Sequence, residues 1–218
     1  MCDEDLWADT RTGLSKLGFL HFADYGNGTT LSEMADHAVS DAPVHFILIG
    51  FSMGGFVARE IALRYPDRVT ALVLIGTSAR GDSPEKSRRK RDLAQLTRRS
   101  VFRGISRLAC KSSLHPNRKN DETLLGRIKA MAMRVGKGAF VRQIGLLRHD
   151  SHEYLKDVSC VTLVIAAGQD QLRSIVESEE LVVGIPDSEL VIIEDCGHMV
   201  PMEQPDQLVK TIIEWHVR

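Results

Sequence analysis

The stretch Ile49-Gly50-Phe51-Ser52-Met53-Gly54-Gly55 decides the fold. It fits the pattern G-x-S-x-G, and it lies between an apolar run, His45–Ile49, and a helical pattern, Gly54–Tyr65. This context predicts a sharp strand-to-helix turn that lifts the Ser52 hydroxyl clear of the sheet as a nucleophile. The Met53 amide would then point at a developing oxyanion. The alternative is a tight turn that contains serine by chance.

Elsewhere, short β-branched runs alternate with amphipathic stretches, which predicts an α/β fold with a mostly parallel open sheet flanked by helices. The predicted strands are Leu17–Ala23, His45–Ile49, Val69–Ile75, Val161–Ala167 and Leu190–Ile193. The predicted helices are Asp3–Lys16, Leu31–Val39, Gly54–Tyr65, Ser174–Val183 and Gln204–His216.

A serine hydroxyl needs a base, and two partners follow Ser52 in chain order. Asp170 lies just past the predicted strand Val161–Ala167, and His198 lies in the loop after the last predicted strand. The order Ser, Asp, His is the one expected for a nucleophile on such a turn. His198 would take the proton from Ser52, and Asp170 would orient the imidazole.

Other residues compete for these two roles. Asp157, Asp187 and Asp195 are alternatives to Asp170 as the orienting carboxylate. His149 and His152 are alternatives to His198, although neither follows a predicted core strand.

The charge is unevenly distributed along the chain. Residues 80–150 contain 19 Lys and Arg but 6 Asp and Glu, a net charge of +13, whereas the remainder carries −14. This block has no strand pattern, and Ser83-Pro84 is a plausible helix start within it. We therefore expect residues 80–150 to form a basic helical insertion, and residues 1–79 and 151–218 to form the core.

Together, four segments of the chain resemble the α/β-hydrolase superfamily: Gly50–Gly55, Tyr65–Val69 with Leu72–Ile75, Gly168–Asp170, and Gly197–Pro205 with its G-H-x-x-x-x-E-x-P pattern. The resemblance implies a hydrolase fold in which residues 80–150 form a helical cap over the active site. It does not indicate a substrate.

The chain also departs from that family. The family has three strands before the one predicted at Leu17–Ala23, and a His-Gly type loop that donates the second oxyanion amide, whereas only sixteen residues precede Leu17 here. We therefore expect the N-terminal strands to be missing. Either Met1 is an internal methionine of a longer protein, or Leu17–Ala23 pairs directly with His45–Ile49.

The leading hypothesis is a serine hydrolase of a carboxylic ester or related acyl bond, acting without metal or organic cofactor. Esterase, thioesterase, lactonase, carbon–carbon hydrolase and perhydrolase stay open. The positive block favours an anionic acyl substrate as one hypothesis. A truncated, non-catalytic protein that binds a ligand or partner is the alternative.

Further expectations concern the partners and the cellular location of the protein. The basic block at residues 80–150 has few aromatic residues for base stacking, so nucleic acid is not expected as a partner. No apolar run is long enough to span a membrane, and a homodimer stays open. Four scattered cysteines without a C-x-x-C pair predict free thiols and a cytoplasmic location.

Overall fold

A four-stranded parallel sheet forms the centre of the computed structural model, which describes residues 2–218. Its strands run in sequence order across the sheet: β1 Phe46–Phe51, β2 Val69–Ile75, β3 Val161–Ala167 and β4 Ser188–Ile193. The predicted bounds of β2 and β3 are confirmed to the residue. Those of β1 and β4 differ by one or two residues at each altered end.

Helices lie between and around the strands. The α-helices are α1 Arg11–Leu14, α2 Leu31–Val39, α3 Met53–Arg64, α4 Pro84–Arg99, α5 Arg107–Ser112, α6 Glu122–Gly145, α7 Ile175–Gly184, α8 Val200–Glu203 and α9 Pro205–His216. Short 3₁₀ turns occupy Glu4–Trp7, Ser15–Leu17, Pro66–Arg68, Pro116–Arg118 and His152–Asp157.

Both faces of the sheet are buried. In β2, Val73 and Ile75 belong to one hydrophobic cluster, and Leu72 and Leu74 belong to a second cluster on the opposite face. All four side chains are fully buried. Successive strand residues point to opposite faces, so a strand with apolar side chains on both faces requires cover on both sides.

The predicted strand at Leu17–Ala23 is wrong. Leu17 ends a 3₁₀ turn, residues 18–25 form no strand, and Phe19 is 93% exposed. A strand needs a hydrogen-bonded neighbour, and β1 is an edge strand of the described sheet with β2 as its partner, so the alternative in which this segment pairs directly with β1 is also wrong. Met1 lies outside the described residues.

The predicted helix Asp3–Lys16 is interrupted. The Asp3 side chain accepts a hydrogen bond from the Asp5 amide and starts a 3₁₀ turn that ends at Trp7. Thr10 then donates its hydroxyl to the Trp7 carbonyl, and helix α1 begins at Arg11. Side chains that bond to the nearby backbone compete with helix propagation, which explains the break.

Residues 84–145 form helices α4, α5 and α6, and the sequence predicts this helical content. Ser83 accepts a hydrogen bond from the Lys86 amide and precedes Pro84, as predicted for a helix start. Helix α6 is broken at Gly136, whose φ is 81°. The assignment of residues 80–150 as a separate unit stays a prediction.

Two chain segments run side by side where these helices join the core. The Ser151 amide donates to the Ala79 carbonyl over 3.0 Å, and the Asp82 amide donates to the Arg148 carbonyl over 2.9 Å. Arg59, buried in α3, donates to Ser151 Oγ and to the Ser78 carbonyl. The two ends of the stretch that contains α4, α5 and α6 therefore lie next to each other.

Helix α7 offers a direct test of the burial on one face of the sheet. Leu181 is fully buried and Val183 is 88% exposed. We expect Leu181→Ala to lower the free energy of unfolding by about 2–5 kcal/mol, because it removes packed methyl groups. Val183→Ala should change that free energy by less than about 0.5 kcal/mol. Urea unfolding of both variants gives the comparison, and equal losses would contradict the described packing.

Candidate active site

Ser52 occupies the turn between β1 and α3 with unusual backbone angles. Its φ is 52° and its ψ is −112°, in a region that residues with a side chain rarely adopt. The Ser52 amide donates to the Ile75 carbonyl over 2.8 Å, and the Ser52 carbonyl accepts the Thr77 hydroxyl over 2.9 Å. Strain of this kind costs about 1–3 kcal/mol and persists only where surrounding contacts fix it.

The turn is tight because of Gly50. A methyl group at this position would lie 2.6 Å from Ala58 Cβ and 2.8 Å from the Gly54 carbonyl oxygen. Both distances are shorter than van der Waals contact, so β1 and α3 can approach this closely only with glycine at position 50.

The structure brings Ser52, His198 and Asp170 together in one hydrogen-bonded row. His198 Nε2 lies 2.9 Å from Ser52 Oγ, and His198 Nδ1 lies 2.6 Å from Asp170 Oδ2. The His198 residue is 5% exposed, and the Asp170 side chain is 1% exposed. A proton on Nδ1 directed at the carboxylate leaves Nε2 free to accept the serine proton.

The Asp170 carboxylate is held in place by its own turn. Its Oδ1 atom accepts hydrogen bonds from the Leu172 amide over 2.7 Å and the Arg173 amide over 3.0 Å. Its Oδ2 atom is thereby directed at His198. On the other side, the ring of Phe51 lies 5.0 Å from the imidazole, centroid to centroid. The imidazole is thus fixed between the carboxylate and a packed aromatic ring.

The competing residues lie elsewhere. His152 forms hydrogen bonds to Asp150 and Glu180, and these carboxylates raise the pKa of His152. His149 is exposed on the segment beside Asp150. The competing carboxylates Asp157, Asp187 and Asp195 are exposed and form no hydrogen bond with His198 among the described contacts.

Met53 is the first residue of α3, directly after Ser52. The first amides of a helix have no partner within the helix, and the Ser52 side chain does not cap them. A helix N-terminus also carries partial positive charge. The assignment of the Met53 amide as an oxyanion donor stays a prediction, and this end of α3 is suited to it.

Two residues of the site escaped the sequence reasoning. Thr77 supports the strained turn through the Ser52 carbonyl, and its position just past the carboxyl end of β2 is the signal that could have identified it. Glu203 is buried in the helix that follows His198, although the sequence motif marks it without giving it a role.

The four cysteines are free thiols, as predicted. Cys196 is buried close to the row, and burial, together with the nearby carboxylates of Glu203 and Asp170, raises the pKa of its thiol. It therefore stays protonated and is a poor nucleophile.

Residues 2–218 contain neither a metal-binding cluster nor a membrane-spanning helix. No group of three or more His, Cys, Asp and Glu side chains there could hold a metal ion. None of the described helices is both long enough and apolar enough to cross a bilayer.

A strained serine turn at the end of a parallel strand, with histidine and aspartate in hydrogen-bonding reach, is typical of hydrolases with an α/β fold. The family model described as alpha/beta hydrolase fold matches residues 42–205, and the chain belongs to this family. This chain is similar to a thermophilic esterase from Thermogutta terrifontis whose structure was solved with malate bound. The two structures superpose with a TM-score of 0.84 and share 29% sequence identity, and the match covers 98% of this chain and 85% of the esterase chain.

Two relatives with similar sequences are also named as ester hydrolases. Monoacylglycerol lipase ABHD6 of Mus musculus is 28% identical over 185 residues, which cover 78% of this chain and 54% of the lipase. The chain thus spans about half the length of that relative. The pimeloyl-[acyl-carrier protein] methyl ester esterase of Aromatoleum aromaticum is 26% identical over 206 residues, 85% of this chain and 80% of the esterase.

The close packing at Gly50 gives a testable expectation. Gly50→Ala should lower the free energy of unfolding by about 1–3 kcal/mol, because the added methyl group overlaps Ala58 and the Gly54 carbonyl. Gly126→Ala is the matched control: it lies in helix α6 with open space around it and should raise stability by about 0.5–1 kcal/mol. Chemical denaturation of both variants measures the two effects, and a neutral Gly50→Ala would contradict the described turn.

Proposed function

We propose that this protein is a serine hydrolase of carboxylic esters or related acyl bonds. The observation that carries the proposal is the buried row of Ser52, His198 and Asp170, joined at 2.9 and 2.6 Å. Further support comes from relatives and a solved neighbour that are named as a lipase or as esterases.

The proposed reaction begins with proton transfer from Ser52 Oγ to His198 Nε2. As the proton leaves, Oγ bonds to the acyl carbon, and the carbonyl electron pair moves onto oxygen to form a tetrahedral oxyanion. The Met53 amide donates to this oxygen, an interaction typically worth ~10²–10³ in turnover. The carbon–oxygen bond to the alcohol then breaks, and His198 gives its proton to the departing alcohol.

Water completes the cycle. His198 accepts a proton from the water, whose oxygen attacks the acyl-enzyme carbon and forms a second tetrahedral intermediate. The bond to Ser52 Oγ breaks, Ser52 regains its proton from His198, and the carboxylic acid departs. Throughout, Asp170 fixes the imidazole tautomer and stabilises its protonated form.

We further propose that residues 80–150 act as a cap that sets specificity. Ion pairs link this basic block to the acidic start of the chain: Arg134 binds Asp3 at 2.6 Å and Asp5 at 3.1 Å, and Arg127 binds Asp9 at 2.6 Å. The block carries more positive charge than these pairs neutralise, so it would attract an anionic acyl substrate. The neighbouring Thermogutta esterase holds malate, itself a dicarboxylate.

The row of three residues predicts a strong effect of Asp170→Asn. The amide would favour the wrong imidazole tautomer, and kcat for a nitrophenyl ester should fall by about 10⁴-fold, as for the equivalent change in a serine protease. Asp187→Asn, at a competing carboxylate, is the matched control and should leave kcat unchanged. A fluorophosphonate probe should label wild type and not Ser52→Ala. Labelling of Ser52→Ala would overturn the assignment of the nucleophile.

The cap proposal predicts a salt-dependent preference for charged esters. For the monomethyl ester of a dicarboxylic acid, kcat/KM should fall as sodium chloride rises from low to physiological concentration, because salt screens the attraction of the carboxylate to the basic block. The dimethyl ester of the same acid is the matched neutral control and should respond little. The same salt response for both esters would refute the anionic preference and leave the hydrolase proposal standing.

A further inference from the structure

Glu203 presents a buried carboxylate one helical turn after His198. The residue is 6% exposed and ends helix α8. Its Oε2 atom accepts a hydrogen bond from the His115 amide over 2.7 Å. Its Oε1 atom is buried and has no hydrogen-bond partner among the described residues. Burial raises the pKa of the Glu203 carboxyl.

The partner of this carboxylate belongs to the basic block. His115 lies in the segment Ser113–Arg118, which we call the clasp segment. Two more bonds join it to the loop after β4: the Met199 amide donates to the Ser113 carbonyl over 3.2 Å, and Arg118 Nη1 donates to the Glu203 carbonyl over 3.1 Å. Contacts with the clasp segment therefore lie immediately after His198 and at the end of α8.

The two backbones also touch immediately before His198. A methyl group at Gly197 would lie 2.2 Å from the His115 amide nitrogen and 2.4 Å from the Leu114 carbonyl carbon. Leu114 is fully buried. Any side chain at position 197 would push the loop and the clasp segment apart.

A short rigid link connects Glu203 to His198. The Val200 amide donates to the His198 carbonyl, and the Glu203 amide donates to the Met199 carbonyl, each over 2.9 Å. A shift of Glu203 relative to the clasp segment is thus transmitted to the imidazole through one helical turn. A misplacement of about 1 Å in an active site can reduce turnover by about 10²-fold.

A buried carboxylate with one hydrogen bond is costly for stability alone. An apolar side chain would fill the same space without the desolvation penalty. What the Glu203 carboxylate provides instead is a directional hydrogen bond between the clasp segment and helix α8. Without an acceptor at this position, the part-buried His115 amide would lose its partner, which disfavours the described arrangement.

We propose that Glu203 is a positioning residue: its carboxylate ties the clasp segment to the loop that carries His198 and so keeps Nε2 in line with Ser52 Oγ. The inference rests on the proposed function for its catalytic readout. If Glu203 has this role, the basic block also helps to position His198, in addition to its proposed role as a cap.

Two substitutions at Glu203 test this role. Glu203→Ala removes the acceptor, and turnover per active site titrated with the serine probe should fall by ~10- to 100-fold with a smaller change in KM. Glu203→Gln keeps an oxygen that can accept from the His115 amide, and its turnover should stay within a few-fold of wild type. Glu122→Ala, an exposed ion-pair residue at the start of α6, is the control and should leave turnover unchanged.

Amide hydrogen exchange gives a readout that does not depend on activity. In Glu203→Ala, exchange at His115 and Met199 should accelerate by at least ~10-fold, whereas Glu203→Gln should retain protection. If Glu203→Ala fails to fold, Gly197→Ala takes its place, because the added methyl group separates the same backbones; it should accelerate exchange at these amides and lower turnover.

The outcomes separate the two proposals. Wild-type turnover in Glu203→Ala, or equal damage from the Gln and Ala variants, would overturn the positioning role. If the wild-type protein neither hydrolyses esters nor reacts with the serine probe, the proposed function fails. The hydrogen-exchange data then test by themselves whether Glu203 ties the clasp segment to the His198 loop. Unchanged protection in Glu203→Ala, or in Gly197→Ala if that variant replaces it, refutes this tie.

Discussion

The parallel register of the four strands is the constraint on which the site depends. Phe51 at the end of β1 is level with Ile75 of β2, Ile75 is level with Ile165 of β3, and Ala167 is level with Ile193 of β4. All four carboxyl ends therefore meet at one edge of the sheet, where ligands bind in open α/β folds. Residues far apart in sequence come together because each follows a strand that ends at that edge.

Burial of this polar row is tolerable because its inner members are paired. Asp170 receives two backbone amides and the imidazole, and His198 lies between carboxylate and hydroxyl. An isolated carboxylate at this depth would be strongly disfavoured, whereas a fully bonded one is held rigidly. Under the proposed mechanism, the hydrogen bonds that offset the cost of burying the carboxylate also fix the geometry for proton transfer. The same bonds therefore serve both stability and function.

The sequence was most informative where a strand is buried on both sides. Val69–Ile75 and Val161–Ala167 are apolar apart from Thr70 and Thr162, a pattern with few alternatives in an α/β protein, and their bounds could be predicted. Leu17–Ala23 carries a similar apolar pattern but has no hydrogen-bonding neighbour. Strand formation there depends on a partner, which no local pattern reveals.

The site was predictable to a similar degree. The juxtaposition of Ser52, Asp170 and His198 could be predicted because each follows a predicted strand in the expected order. The hydrogen bond between Glu203 and the His115 amide could not be predicted, since the two residues lie 88 positions apart in the chain. Likewise, the support from Thr77 to the Ser52 carbonyl requires knowing which strand lies beside β1. Long-range pairings of this kind follow from the assembled sheet.

The joined segments at Ala79–Asp82 and Arg148–Ser151 have an evolutionary consequence. The chain departs and returns through adjacent hydrogen-bonded backbones, so the two ends of the intervening stretch lie together, while Leu114, Ile128 and Met131 within it share a hydrophobic cluster with the sheet. The entropy of closing such a detour grows only with the logarithm of its length. We therefore expect descendants of this gene to gain or lose residues in the exposed parts of the intervening helices at little entropic cost, and to keep apolar side chains at the three positions that pack in the core.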